Sequence, residues 1–168
     1  MMRQIMVWPM RGGLSISAVA EEEEEWKLLL NAPTSAKGAW AEGVLETRVI
    51  ALGFIPCRPC GIPAPYDFII EREGLVVRVQ VKSAWQDKNG CWVFRTTGGS
   101  TDAPTYTSQR IDMLACLVVP LKTWYIIPVS EVDEEQEHLI VTPEPGARKS
   151  KRRTKSYEAF RERWDLLG

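Results

Sequence analysis

Three polar residues are spaced so that a β-hairpin would bring their side chains together. Asp67 begins one apolar run, and Gln80 and Lys82 lie near the end of the next, with Glu73-Gly74 as the turn between them. Alternate residues of a strand share a face, so Arg78, Gln80 and Lys82 project one way and the valines between them project the other. A carboxylate, an amide oxygen and an ammonium at one point suit magnesium-assisted attack of water on a phosphodiester.

This arrangement resembles the PD-(D/E)XK nuclease superfamily, in which an aspartate after a turn precedes a hairpin that ends in acid-x-lysine. It is more narrowly similar to the branch of group I intron homing endonucleases and archaeal Holliday junction resolvases, where glutamine can replace the acid. Tyr66 stands where the family usually has proline, at a position that does no chemistry. Gln80 removes one negative charge, so metal affinity should fall unless Glu42 compensates.

Segments on both sides of the hairpin extend the resemblance over residues 37–132. Residues 38–42 look like the first helix of the family, which contributes a glutamate to the metal site, here Glu42. Glu46 lies one helical turn later on the same face and is the alternative ligand if the helix register differs. The segments similar to the later strands of the family are Tyr106, Ile111-Asp112-Met113-Leu114-Ala115 and Trp124-Tyr125-Ile126-Ile127-Pro128-Val129.

The resemblance implies an α/β fold, with a central mixed β-sheet flanked by helices in a restriction endonuclease-like core of the αβββαβ type. It implies a Mg²⁺-dependent DNA endonuclease, in which Mn²⁺ can take the place of Mg²⁺. Asp67 is expected to be the central metal ligand, while Glu42, Gln80 and the carbonyl of Val81 complete the oxygen shell. Lys82 is expected to activate the water or to stabilise the transition state.

A non-catalytic DNA-binding module with the same fold is the rival interpretation. Gln80 is its best argument, because the substitution weakens the expected metal site. Gln80 and Lys82 could also be the solvent face of a half-exposed strand. If the protein does cleave DNA, paired cuts require two sites, so a homo-oligomer (dimer or tetramer) is expected.

The charge distribution is more informative than the net charge of −1. Residues 21–25 are all glutamate, whereas residues 148–155 contain six basic side chains and no acid. Such clusters often bind phosphate backbones, although a solvated linker is an equal alternative. The candidate DNA-binding residues are Arg148, Lys149, Lys151, Arg152, Arg153 and Lys155.

The chain has 168 residues and 45% hydrophobic content, enough for one core of ordinary size. The expected organisation is an N-terminal extension with an acidic helix at 1–36, a nuclease core at 37–132, and a basic connection with a C-terminal helix at 133–168. No apolar stretch is long enough for a membrane span. Pro9 and Gly12-Gly13 interrupt the apolar N-terminus, so a secretory signal is disfavoured and a cytoplasmic location is expected.

Cysteine spacing supplies a competing hypothesis of a zinc site. Cys57 and Cys60 have the C-x-x-C spacing of zinc and redox sites. A structural zinc needs four ligands, and a second such pair is missing from the sequence. Cys91, Cys116 and His138 would have to be gathered from separate elements, so zinc is disfavoured.

Hydrophobic periodicity predicts an alternation of helices and strands. A helix is expected over 40–52, where the apolar residues recur at helical spacing before Gly53, and a short edge strand over 55–58. A third strand is expected over 91–96, a loop that faces DNA over 98–107, and two further strands over 113–119 and 124–129. A terminal helix is expected from Ser156 to Leu167, with the acidic block starting another helix through Leu30.

Overall fold

Of the first 31 residues, the structure describes only 25–31. The structure is a computed structural model that describes residues 25–61, 63–97, 106–133, 137–143 and 155–168. The chain forms two compact units, Met1–Asn31 and Ala32–Gly168. Helix α1 (Glu25–Leu28) lies in the first unit and ends before Leu30, and residues 21–24 of the predicted acidic helix lie outside the described residues. Within the described ranges, no helix combines the length and apolar character that a membrane span requires.

A mixed β-sheet is the centre of the second unit, as the sequence predicts. The described strands of this unit, in chain order, are β1 (Ile55–Cys57), β2 (Phe68–Arg72), β3 (Leu75–Ala84), β4 (Trp92–Arg95), β5 (Met113–Val118), β6 (Thr123–Pro128) and β7 (His138–Val141). Five of them form one sheet in the order β1-β2-β3-β5-β6. The β3–β5 pair is parallel, and the other pairs in this sheet are antiparallel.

The predicted hairpin of β2 and β3 is confirmed. Glu73 and Gly74 both have positive φ, at 52° and 84°, which a tight two-residue hairpin turn requires at both central positions. The register pairs Arg72 with Leu75 beside the turn and Phe68 with Val79 at the other end. Because β3 continues to Ala84 while β2 starts at Phe68, one edge of β3 is left without a β2 partner beyond Val79.

Helix α2 (Thr34–Ala51) confirms the predicted amphipathic helix. It buries Ala41, Leu45 and Val49, which lie at helical spacing, and it packs against β3 and β1. Gly53 follows the helix with φ of 85°, a left-handed conformation that glycine adopts without a steric penalty. This packing fixes the first half of the helix beside the end of β3.

The predicted third strand forms as β4, but its implied place in the main sheet is wrong. Strand β4 pairs with β7 in a separate two-stranded antiparallel sheet. Trp92 and Phe94 of β4, with Leu139 and Val141 of β7, enter a buried cluster with alternate residues of β5 and β6. Burial of this second sheet against the first, which depends on long-range packing, therefore places β4 outside the sheet that contains the hairpin.

The predicted C-terminal helix is also wrong. The segment forms two 3₁₀ turns, Glu158–Phe160 and Trp164–Leu167, although its apolar members Tyr157, Trp164 and Leu167 are buried as expected. Between the turns, the Glu162 N–H donates to the Trp124 carbonyl at 2.9 Å, and the Trp124 N–H donates to Glu162 Oε1 at 2.7 Å. The segment thus satisfies the outer edge of β6, which a continuous helix would leave unpaired.

Candidate active site

Asp67 lies where β2 and β3 separate. Its backbone N–H donates to the Val79 carbonyl at 2.9 Å and continues the ladder by one bond. Its Oδ2 atom then accepts the Val81 N–H at 2.7 Å and the Gln80 side-chain amide at 2.5 Å. The carboxylate therefore takes the place of a strand partner at the unpaired edge of β3, and this holds Asp67 and Gln80 in contact.

The Asp67 carboxyl is partly buried, and burial is the main reason that its pKa rises from 3.8 to about 6. The hydrogen bond from Val81 opposes the rise, the negative charge of Glu42 adds to it, and the positive charges of Lys82 and Arg58 oppose it. A carboxylate that is costly to ionise in this position gains from a nearby cation. The raised pKa thus marks Asp67 as a functional-site candidate.

Lys82 lies two residues beyond Gln80 and on the same face of β3. Its ammonium donates to the Tyr106 hydroxyl at 3.1 Å and lies 5.0 Å from the centroid of that ring. Tyr106 is buried, and its N–H donates to the Thr96 carbonyl at 3.1 Å. The lysine is therefore held by an aromatic side chain that is itself fixed in the core.

Glu42 comes to the same place from helix α2, and an arginine holds it. Arg58 Nη1 lies 2.8 Å from Glu42 Oε2, and Arg58 Nη2 lies 2.8 Å from Glu46 Oε2. The guanidinium also stacks over the Phe68 ring, 4.4 Å from its centroid. Arg58 follows β1 directly, so the edge strand delivers a cation to the acids of the helix.

One cleft joins these groups. It has a volume of about 500 Å³, and its lining includes Glu42, Asp67, Gln80, Val81 and Lys82. Glu46, the alternative ligand, is not among the described residues that line this cleft. The structure therefore brings together the four side chains and the backbone segment that the sequence singles out, with Glu42 as the helix acid that faces Asp67.

Arg78, the third polar residue on this face of β3, has a different role. Its guanidinium donates to both carboxylate oxygens of Asp112, at 3.0 and 2.8 Å, and to the carbonyls of Gln109 and Ser108 at 2.7 and 2.9 Å. The pairing with Arg78 lowers the pKa of Asp112. Arg78 thus ties the segment that leads into β5 to the hairpin, away from the cleft.

The oxygen donors of the cleft suit a hard divalent cation. Two carboxylates, an amide oxygen and the Val81 carbonyl are the ligand types that Mg²⁺ and Mn²⁺ accept. In the part of the chain that the structure describes, no three His, Cys, Asp or Glu residues form a metal-binding group, so such a site would depend on Gln80 and the carbonyl. The donor set fits the cation with less negative charge than three acids would give.

The cysteines are distributed over different environments. Cys57 and Cys60 are exposed, while Cys116 is buried in the core, where burial raises the pKa of its thiol to about 12. A thiol that stays protonated is a poor metal ligand. His138 is exposed on β7. These positions do not supply a tetrahedral zinc set among the described residues.

The predicted DNA-binding elements lie largely outside the described residues. This holds for residues 148–154 of the basic run and for residues 98–105 of the predicted loop. Lys155, the described member of the basic run, donates to the Glu131 carbonyl at 2.9 Å and also pairs with the Glu131 carboxylate. Its ammonium is thus already held by protein groups.

Sequence reasoning missed Arg58 and the contact between Tyr106 and Lys82. Arg58 lies inside the Cys57-Arg58-Pro59-Cys60 segment, whose C-x-x-C spacing is the more prominent local pattern. An arginine directly before the proline-rich approach to Asp67 is the local signal that could have identified it. Tyr106 is separated from Lys82 by 24 positions, and no local pattern indicates their contact.

Comparison with known proteins identifies a family for this sequence and a solved structure with a similar fold. The sequence model of the family described as PD-(D/E)XK endonuclease matches residues 32–163. The solved structure of a bacterial homing endonuclease, I-Ssp6803I, is similar with a TM-score of 0.63 and 24% sequence identity, over 80% of this chain and 91% of that chain. At this identity the likeness shows the fold, and it confirms the predicted mixed α/β architecture. No curated protein matches the chain.

Proposed function

The chain belongs to the PD-(D/E)XK endonuclease family, and from that premise we propose that it is a Mg²⁺-dependent endonuclease that hydrolyses phosphodiester bonds of DNA. The observation that carries the proposal is the meeting of Glu42, Asp67, Gln80 and Lys82 on one cleft. A family match alone gives the class of enzyme. The retained constellation is the reason to expect that this member is active.

Asp67 is the proposed central ligand of the cation, with Glu42, Gln80 and the Val81 carbonyl as the other protein donors. The chemistry that Mg²⁺ supplies when bound is stabilisation of the charge that develops on the phosphodiester. Mn²⁺ has the same preference for oxygen donors and should replace it. The Val81 N–H and the Gln80 amide donate to Asp67 Oδ2, so the carboxylate that would hold the cation is already fixed in place.

Lys82 is the proposed catalytic cation. Lys82 lines the cleft together with Asp67, so we expect its ammonium to donate to an oxygen of the reacting phosphate or to orient the attacking water. The contact with Tyr106 restricts where the ammonium can lie. Such preorganisation favours the transition state, because the group does not have to reorient as charge develops.

DNA is the proposed substrate and the basic run at 148–155 a proposed phosphate-binding segment. Six cations within eight residues can neutralise several phosphates. A homo-oligomer is proposed as well, because a nuclease that cuts both strands of a duplex needs two copies of this cleft. A monomer would be consistent with cleavage of one strand at a time.

A cleavage assay tests the proposal. Plasmid, branched and single-stranded DNA are incubated with the full chain and Mg²⁺, Mn²⁺ or a chelator, beside Lys82→Ala and the exposed Lys88→Ala as the matched control. We expect cleavage that requires the metal, loss of cleavage with retained DNA binding in Lys82→Ala, and wild-type behaviour in Lys88→Ala. Binding without cleavage by the wild-type protein under all conditions would instead identify a non-catalytic DNA-binding module.

A further inference from the structure

The cleft extends well past the proposed catalytic groups. Beyond Lys82 its lining continues through Ser83 and Trp85 at the end of β3, Lys37 in the first turns of α2, and Arg95 and Thr97 at the end of β4. Its volume of about 500 Å³ is in the range of a site for one small ligand. We call this part of the cleft the extension. The cleft as a whole is large enough for a single nucleotide but not for a segment of duplex.

The extension differs from the rest of the cleft in charge. Glu42 and Asp67 lie at the catalytic end, and among the described lining residues the extension has Lys37 and Arg95 without an acid. The cations of the extension attract a phosphate, whereas the catalytic end combines two carboxylates with the Lys82 ammonium. The cleft is thus arranged for a phosphodiester at one end and a neighbouring phosphate at the other.

Trp85 gives the extension a fixed aromatic surface. Its Nε1–H donates to Ser83 Oγ at 3.0 Å, and its ring centroid lies 5.4 Å from that of Trp40, with a 57° angle between the planes. The Lys37 ammonium lies 5.4 Å from the same ring centroid. Trp85 nevertheless stays partly exposed. Bases of unstacked nucleotides bind aromatic surfaces of this kind.

Thr97 presents an unmet hydrogen-bonding group in the same place. Its Oγ1 atom is buried and has no hydrogen-bond partner in the part of the chain that the structure describes, although the residue lines the cleft. A buried polar atom without a partner is unfavourable, and a ligand can supply the missing bond. The N-terminus of α2, where Thr34 lines the cleft and Pro33 provides no side-chain cap, adds backbone donors that favour an anion.

We propose that the extension is a subsite for the one nucleotide that flanks the cleaved phosphodiester. Lys37, Arg95 and Thr97 hold its phosphate, and its base stacks on Trp85. The inference rests on the proposed nuclease function and adds a substrate class to it. A base that stacks on Trp85 must leave its own stack, so the enzyme prefers DNA in which a nucleotide beside the cut is unpaired.

Fluorescence anisotropy of the full chain with labelled DNA, in a chelator to prevent cleavage, tests the subsite. The probes are a duplex and the same duplex with one unpaired nucleotide. Wild type should bind the second probe more tightly, and Trp85→Leu should lose about tenfold in affinity for it with little change for the duplex. Trp85→Phe keeps an aromatic ring and should retain most of the preference for the unpaired nucleotide. This variant keeps the test decisive if Trp85→Leu misfolds.

Thr97→Val and Lys37→Gln separate binding from structure. Thr97→Val removes the unpartnered hydroxyl, so it should lower affinity for the unpaired probe while leaving the unfolding midpoint unchanged or higher. Lys37→Gln should weaken both probes and lower the salt slope by about 1, whereas Lys88→Gln should not. If wild type cleaves DNA but these variants bind both probes as wild type does, the subsite is wrong and the nuclease stands. If wild type neither binds nor cleaves any DNA, the proposed function itself fails.

Discussion

The ammonium of Lys82 and the hydroxyl of Tyr106 form a 3.1 Å hydrogen bond at the wall of the proposed catalytic cleft. The ring of Tyr106 also lies against this ammonium, so the tyrosine restrains Lys82 by two contacts. Tyr106 is not among the described residues that line the cleft, so we expect it to act through Lys82 and not on the substrate. Its proposed role is to fix the direction in which the lysine presents its protons to the reacting phosphate.

Tyr106→Phe removes the hydrogen bond and keeps the ring. We expect kcat to fall by about three- to tenfold with KM nearly unchanged, since a net hydrogen bond contributes roughly 0.5 to 1.5 kcal/mol. Tyr157→Phe is the matched control, because that buried hydroxyl has no hydrogen-bond partner in the described structure. Steady-state cleavage of a defined DNA measures both constants, and an unchanged kcat in Tyr106→Phe would show that the tyrosine has only a packing role.

Gln80→Glu adds the acid that most of the superfamily has at this position. Without a metal, the new carboxylate loses the 2.5 Å donation to Asp67 Oδ2 and repels that side chain, so the apoprotein should be less stable. The added charge should tighten Mg²⁺ binding at least about tenfold, which corresponds to about 1.4 kcal/mol. Calorimetric titration measures this, with the exposed Gln109→Glu as the control for charge alone. Weaker binding by Gln80→Glu would remove Gln80 from the ligand set.

How far the sequence predicts this fold depends on how local each determinant is. The hairpin is predictable because its alternation and the Glu73-Gly74 turn lie within 17 residues, and α2 is predictable from its own spacing. The C-terminal helix is wrong because Glu162 satisfies the backbone of Trp124, a residue 38 positions away. The apolar pattern of that segment is real, but the exposed edge of β6 decides its conformation.

The candidate site divides in the same way. Asp67, Gln80 and Lys82 belong to one hairpin, so their meeting follows from strand register. Glu42 reaches the site only because α2 packs on the sheet, and it was predicted from the resemblance to a known family. Arg58 and Tyr106 reach the site through tertiary contacts, and neither lies in a motif that signals them. Long-range contacts therefore account for the residues that sequence reasoning missed.

Asp67→Asn should raise the stability of the metal-free protein at neutral pH. The pKa of Asp67 is raised from 3.8 to about 6, so its stabilising contribution is fully present below 3.8 and is lost as pH rises through 6. Relative to the asparagine variant, the free energy of unfolding of the wild type should therefore fall by up to about 3 kcal/mol between pH 3.5 and pH 8. Urea unfolding of both proteins in a chelator measures the difference, and a difference that is independent of pH would contradict the raised pKa. The variant should also fail to cleave DNA.

The basic run at 148–155 should contribute to the salt dependence of DNA binding. Each neutralised phosphate releases counterions, and the logarithm of affinity falls with the logarithm of salt by about 0.9 per contact on duplex DNA. Replacing Arg152 and Arg153 with alanine should reduce this slope by roughly 1 to 2 and weaken all sequences alike. Lys122→Ala is a single-charge control outside the run. A slope equal to that of wild type would identify the run as a solvated linker.

We expect Arg58 to compete with a metal ion for Glu42. Its guanidinium occupies one oxygen of Glu42 at 2.8 Å, and its charge also acts on Asp67. A divalent cation that binds to Glu42 and Asp67 must displace this contact or share the carboxylate with it. Arg58→Gln removes the competing charge, so we expect Ca²⁺ or Mg²⁺ to bind several-fold more tightly to the DNA-free protein.

Arg163→Gln provides the matched control for this change. Arg163 forms an equivalent exposed pair with Asp165, at 2.7 Å, but does not line the cleft. Its loss should leave metal affinity unchanged, and neither substitution should greatly alter stability, because exposed ion pairs contribute little. Calorimetry of the three proteins at one ionic strength gives the comparison. Equal or weaker metal binding by Arg58→Gln would show that Arg58 supports the metal site, for example by orienting Glu42, and does not compete for it.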